Sequence, residues 1–526
     1  MKRFAAAAGV ALSLVALLPK PAPARDAAPV VFVPLDDRPV TYELPVMLGE
    51  IAGRSVIATP RSLIGSYLRF GEPDRIIVWL NHQRTNASAY VVSSDMLAYG
   101  GLTASRVPGV SYSDAYFRLN ELRAIRRRDP AAWLGVFGTV MRLAPTGIPA
   151  IGDATSFFAA YPTWTYLQQY ANLHDPLLPS EEAEAQHLRE LAGPALQAYL
   201  DTRARNLAVD KLLLASARDR TIDRLVLGQD DAGPVGLHVP EVAQLQAIVR
   251  DESLQDRVSI EPGADELGMA LVANALSRAV HWTPHVSVVY STPDGGTYQD
   301  PLEFAPISTT IERLIALCGG VRDDAHPDLV LYVRVPRTPQ AFDDGLLTDM
   351  RQRVAAGTSL AFADLSYEAS YASQETFAQQ LLASGVASHV DAYSSWNTTA
   401  NTVGTALAEA IAAGAGRRSG TYNALAHQTF TFVRFADDML FHDEVRPDLN
   451  AWLAVQGIQD HTYLLPDVAA ATAQRNNALL WGRVETLLQT LYPNLHIAAM
   501  NITLPWQRTF ETEIDVRLAP NLERSR

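Results

Sequence analysis

Short apolar runs, many of them β-branched, punctuate this chain from residue 30 to about residue 410, and longer stretches with apolar positions three and four apart separate them. The runs predict strands at 30–35 (VVFVPL), 55–59, 75–80 (RIIVWL), 89–94, 133–140 (WLGVFGTV), 224–228 (RLVLG), 257–261, 285–291, 328–335 (DLVLYVRV), 359–364 (SLAFAD) and 387–393 (ASHVDAY). Their apolar residues are consecutive instead of alternating, the pattern of strands covered on both faces. Helical periodicity lies between many of them, as in DAYFRLNELRAIRRR, EVAQLQAIVRDE and GMALVANALSRAV. Strand and helix in alternation predict an α/β fold with a mostly parallel sheet, either barrel-like (TIM-like) or doubly wound.

The pattern also divides the chain. Residues 29–300 read as a main α/β domain, interrupted at about 150–220 by a helical insertion in which Ser180 is the expected N-cap and Gly193-Pro194 splits two helices. Its polar positions Arg203, Asn206 and Asp210 read as a solvated face. A second α/β segment covers 301–410, GAGRRSGTY reads as a linker, and 420–526 reads as a mainly helical region with amphipathic ATAQRNNALLWGRVETLLQTLYP and a strand-like IAAMNITLPW. No internal repeat recurs at a fixed period.

The first residues change the cellular picture. MKRFAAAAGVALSLVALLPKPAPA carries two cations, an apolar run from Phe4 to Leu18 and a small-x-small cleavage signal, so residues 1–24 read as a secretory signal peptide. A periplasmic or secreted protein follows, with no stable membrane insertion after signal cleavage. Losing Lys2, Arg3 and Lys20 leaves 40 basic against 57 acidic side chains, a net charge of −17. Such an acidic surface disfavours nucleic acid and anionic membranes as partners. Cys318, the single cysteine, rules out an internal disulfide and sits on an apolar helical pattern as a buried thiol.

In parallel α/β folds every strand-to-helix loop opens on the carboxyl edge of the sheet, where ligands bind. Polar residues recur at that edge here: Asp36, Asp37 and Arg38 after the first run, Asn81 after the third, Asp95 after the fourth, Asp230 and Asp231 after RLVLG, Asp265 and Glu266 after the next, then Asp364, Tyr367, Trp396, Asn397 and Asn401. Single acids at such places are ordinary caps and turn formers. Adjacent acids raise each other's pKa unless donors or cations compensate, and their repetition predicts one shared cleft.

Three chemistries can use it. Glycoside hydrolysis needs a protonated acid and an ionised carboxylate, or, when the substrate's 2-acetamido group attacks, one acid to orient that group and another to protonate the leaving oxygen. Trp79, Tyr99, Trp164 and Trp396 are candidate platforms for sugar faces, and Arg38, Asn81 and Asn397 candidate partners of hydroxyls. A divalent-metal hydrolase of phosphate or acyl esters could draw four ligands from PLDDRP and GQDD. The histidines, however, lack ligand spacing and no HxH, HExxH or CxxC occurs, so no metal site is assigned. A non-catalytic carbohydrate-binding protein fits the composition equally. GxSxG, Walker and GxGxxG patterns are absent, and no cofactor is expected.

VPLDDRPVTYELP, SSDMLAYGGLTASR, LGQDDAGPVGLHVPE, EPGADELGMALVA and WNTTANTVGTALA, in that order, resemble the bacterial domain-of-unknown-function 4127 family over roughly residues 29–510. The Asp-Asp stretch is also similar to the vicinal aspartates of hyaluronidase-type N-acetylglucosaminidases. That similarity implies an amino-sugar glycan as substrate, with Asp230 orienting the acetamido group and Asp231 as general acid. Asp36, Asp37, Arg38, Asn81, Asp95, Asp265, Glu266, Trp396 and Asn397 would then line the substrate site.

Overall fold

The computed structural model describes residues 28–83, 87–146, 163–231, 233–366 and 376–521. Strands β1 (Val30–Val33), β2 (Val56–Ala58), β3 (Ala89–Ser93), β4 (Trp133–Val140), β5 (Arg224–Gln229) and β6 (Val258–Pro262) form a parallel sheet in the order β2-β1-β3-β4-β5-β6. A second parallel sheet, ordered β11-β10-β9-β7-β8, holds β7 (His285–Tyr290), β8 (Val321–Arg322), β9 (Leu329–Arg334), β10 (Leu360–Asp364) and β11 (Ala392–Ser394). Both are open, doubly wound sheets, so the barrel alternative is corrected. Counted along each sheet's own strands the first five positions follow the same order, second-first-third-fourth-fifth, with the direction of winding reversing between β1 and β3 and again between β7 and β9.

A layer of helices lies between the sheets. Helices Leu267–Ala279 and Thr399–Ser419 pack closely on each other and on helix Glu43–Ala52. Together with Phe32 of β1, Val286 of β7, Leu331 of β9 and Ala361 of β10 they share one continuous core. The outer face of the first sheet is covered by helices that include Tyr112–Arg128 and Pro194–Arg218, and that of the second by C-terminal helices. Burial on both sides explains the unbroken apolar runs of the sequence.

Five sequence expectations change. RIIVWL lies in helix Pro73–His82, where Ile76 and Leu80 are buried and Val78 is 55% exposed, the spacing of one helical face; Pro73 opens the helix and Asp74 stands in its first turn. Most of GAGRRSGTY is helix, because Thr399–Ser419 runs through it to a left-handed Gly420 cap. Of ASHVDAY only Ala392 and Tyr393 are strand; Ala387–His389 form a 3₁₀ turn. Ser180 caps nothing: the helix starts at Glu182, and the Glu181 carboxylate accepts from the His174 and Leu178 N–H groups instead. Arg203, Asn206 and Asp210 are buried, not solvated. The strand-like IAAMNITLPW falls mainly in β12 (Leu495–Thr503), which pairs antiparallel with β13 (Glu513–Pro520). Cys318 is buried as expected. The signal-peptide assignment lies outside the described residues, and among those described no helix is long and apolar enough to cross a membrane.

Candidate functional site

The loops that leave the carboxyl edge of the first sheet form one wall of a cavity of about 880 Å³. Arg38 reaches it from the loop after β1, Tyr67 from the one after β2, Leu102 and Arg106 from that after β3, Arg142 and Pro145 from that after β4, Asp230 and Asp231 from that after β5, and Gly263, Ala264 and Asp265 from that after β6. Asn397, Thr398 and Asn401, which follow β11, face them. Trp164 of the helical insertion closes one side, and a C-terminal roof of Gln459, Asp460, Thr462, Trp506, Arg508 and Phe510 covers the space.

Arg38 fixes the floor. Its guanidinium grips Asp36 (Nε 3.0 Å, Nη2 2.8 Å) and Asp265 (Nη1 2.9 Å, Nη2 2.6 Å) and lies 4.6 Å from the centre of the Trp506 ring. Burial pushes the Asp36 carboxyl up, but Arg38 and the Thr41 hydroxyl, 2.5 Å away, hold it below the usual range; in Asp265 burial outweighs the same arginine and the pKa is raised. Asp37 turns the other way and accepts from the Trp506 indole N–H at 2.7 Å, tying the roof to the floor, and burial raises its pKa. Trp506 is held with φ +58° and stacks on Tyr67 at 5.0 Å.

The vicinal pair is split by its surroundings. Asp230 is buried and ion-paired with Arg106, and burial raises its pKa against that arginine. Asp231, with φ +30° in the left-handed region that Asp tolerates, is 39% exposed on the cleft rim, 3.4 Å from Arg142. Behind Asp230, Asp95 accepts from the Thr139 backbone N–H at 2.9 Å; burial lifts its pKa to about 7. Ser93 caps the short helix that carries Asp95 by accepting from Met96 N–H.

Glu266 stands behind Asp265, fully buried. It accepts from the Asn401 side chain at 2.6 Å and from Ala264 N–H at 3.2 Å, while Oε1 has no partner among the described residues. Burial drives its pKa well up, with Asp265 and Glu303 adding to the effect. Asn401 in turn accepts from Asn397 (2.8 Å) and Thr398 (2.9 Å), so one polar chain crosses from the first sheet to the second. Glu303 accepts from Ala400 N–H at 2.6 Å at the start of helix Thr399–Ser419, and burial raises it to about 8.

Of the residues predicted from sequence, Arg38, Asp230, Asp231, Asp265, Asn397 and Asn401 line the cleft, and Asp36, Asp37, Asp95 and Glu266 stand in its supporting wall. Asn81, Trp396 and Asp364 do not join them. Asn81 is at the end of helix Pro73–His82, hydrogen-bonded to Glu121 and Arg128 at the edge where the strands begin. The Trp396 indole is buried in the inter-sheet core and donates to Thr405. Among the aromatic candidates Trp164 lines the cleft, whereas Trp79 packs on the outer core and Tyr99 is buried under Arg205. Asp364 belongs to a separate network with Arg334 and Ser366 at the second sheet, and Tyr367 lies outside the described residues. The four acids suggested as metal ligands are engaged by Arg38, Trp506, Arg106 and Arg142. Arg106, Arg142, Tyr67 and the C-terminal roof were missed. Arg142 follows β4 at the same edge, and asking for cations as well as acids there finds it.

Two doubly wound α/β sheets with an acid- and arginine-lined cleft at their carboxyl edges thus define the class of molecule. The chain belongs to the family described as protein of unknown function (DUF4127), whose model matches residues 30–515. No curated protein and no solved structure gives a significant match.

Proposed function

We propose that this protein is a periplasmic or secreted glycoside hydrolase acting on an amino-sugar-containing glycan. One observation carries the reading: Asp230 and Asp231 face a single aromatic-walled cleft from opposite environments, one buried against Arg106 and the other on the open rim. A sugar face would lie on Trp164, and the buried carboxylate of Asp230 would orient a 2-acetamido group. Asp231 would protonate the leaving oxygen. Turnover of aryl N-acetylhexosaminides and amino-sugar glycans tests this. Asp231→Asn, which keeps a side chain suited to the left-handed conformation, is expected to lower kcat by about 10²- to 10⁴-fold with an unchanged melting temperature. Wild-type protein inert across such a panel would overturn hydrolysis.

Capture of a saccharide without turnover is the second reading, favoured by the arginine partner of each aspartate, which suits a carboxylate to accepting hydroxyl hydrogen bonds. Heat released on titrating a glycan into the protein, with no product formed, would favour it.

A further inference from the structure

The arginines of the cleft differ in how far their donors are used. Arg38 is held by two carboxylates, and Arg508 by Glu511 at 2.6 Å. Arg142 is the exception. Its Nε donates to the Ala144 carbonyl at 3.0 Å, its Nη1 meets Asp231 only at 3.4 Å, and its Nη2 donates to nothing among the described residues. The side chain is 26% exposed, on the cavity side. Arg106 stands near enough to oppose the charge of Arg142, which burial already disfavours, and the Arg106 Nε is buried without a partner among the described residues. Two neighbouring guanidiniums thus engage one aspartate each, Arg106 with Asp230 and Arg142 with Asp231.

The backbone holds Arg142 in place from behind. Arg203, buried in the helical insertion, donates to the carbonyls of Met141 (3.0 Å) and Arg142 (2.8 Å) and is itself clamped by Glu241. A side chain on a fixed backbone, with a long carboxylate contact and a terminal nitrogen unpartnered among the described residues, is arranged to exchange that contact for a better one. A planar or tetrahedral oxyanion accepts two parallel N–H bonds from a guanidinium, which one distant aspartate oxygen does not.

We propose that the ligand of this cleft carries an oxyanion, a carboxylate or a phosphate ester, that seats on Arg142 beside Arg106 and draws Arg142 away from Asp231. The inference rests on the saccharide reading for the rest of the ligand but not for the anion itself. Occupancy would release the Asp231 carboxyl from the one cation paired with it among the described residues, so the charged group would act both as a specificity determinant and as the trigger that frees the rim acid.

Quenching of the cleft tryptophans by glucuronate, glucose and inorganic phosphate, at constant ionic strength, tests it with wild type, Arg142→Gln and Arg142→Lys. Glucuronate is expected to bind about 10- to 100-fold more tightly than glucose, the range of a charge-assisted bidentate contact. Arg142→Gln should erase the preference, and Arg142→Lys should restore part of it, while thermal unfolding confirms that both variants fold. Phosphate binding that depends on Arg142 without any sugar binding would keep the oxyanion site and remove the saccharide reading. Equal affinity for glucose and glucuronate would do the reverse and overturn the oxyanion site. A preference that survives Arg142→Gln, or no binding of either anion, would also overturn it.

Discussion

Glu266 shows how a single side chain can join two sheets. Its carboxyl is buried among acids, which raises its pKa and so disfavours the charged form. Glutamine has nearly the same shape and can present its oxygen to Asn401 and Ala264, so Glu266→Gln should change unfolding free energy by no more than about 1 kcal/mol. Glu266→Ala strips both donors of their acceptor and opens a void, and should destabilise by roughly 2–4 kcal/mol in denaturant unfolding. A large loss in the glutamine variant would mean that the group is ionised in the fold. At this scale the sequence was legible where chemistry follows topology: the acids after β1, β3, β5 and β6 stand in or behind one cleft because parallel strands point their loops the same way. It was illegible where side-chain direction decides, as at Trp396, whose neighbour Asn397 faces the cavity while its own ring enters the core.

Among elements, helix Thr399–Ser419 departs most from its sequence pattern. Gly414 and Gly416 read as part of a linker because glycine is a poor helix former, yet the helix's glycines, Gly404 included, are the means of close packing. A Cβ on Gly414 would lie 2.5 Å from the Trp282 ring, and one on Gly404 2.5 Å from the Glu266 side chain. Gly414→Ala should therefore lower stability by roughly 1–3 kcal/mol despite alanine's better helix propensity, measured by denaturant unfolding. The same tertiary override explains RIIVWL: β-branched residues suggested a strand, but the buried positions are four apart and Pro73 suits a first turn. The strand boundaries of β1, β4, β5 and β9 were readable within one or two residues because both faces are covered. β13 was not, since its burial alternates with exposure along an edge pair and the run is broken by charge.

For the molecule as a whole, many acids are buried. Burial raises Asp95 and Asp437 to about 7 and Glu303 and Asp443 to about 8. His427, although burial opposes its charge, is lifted to about 9 by Glu409. Each of these binds its proton more tightly folded than unfolded, so each contributes stability that is lost as pH rises through its folded-state value. Above pH 6.5 they act in the same direction. The buried histidine His238, lowered to about 4 by burial, opposes them only below its unfolded value of 6.5. The melting temperature should accordingly fall between pH 6.5 and 9 in differential scanning calorimetry at fixed ionic strength. A flat or rising profile would show that these groups are not shifted upward together.

The roof of the cleft comes from the last part of the chain, with Trp506 latched to Asp37 across nearly the full length of the sequence. Both parallel sheets are complete by Ser394, well before that latch is synthesised. The same C-terminal region also covers the outer face of the second sheet, where Phe432, Phe435, Leu480 and Leu518 share a core with Val330, Tyr332 and Phe362, so completing the fold and completing the ligand site draw on one stretch of chain. A product clipped before Trp506 would lose β13 together with part of the roof and uncover part of that core, so loss of the site would announce itself as loss of stability.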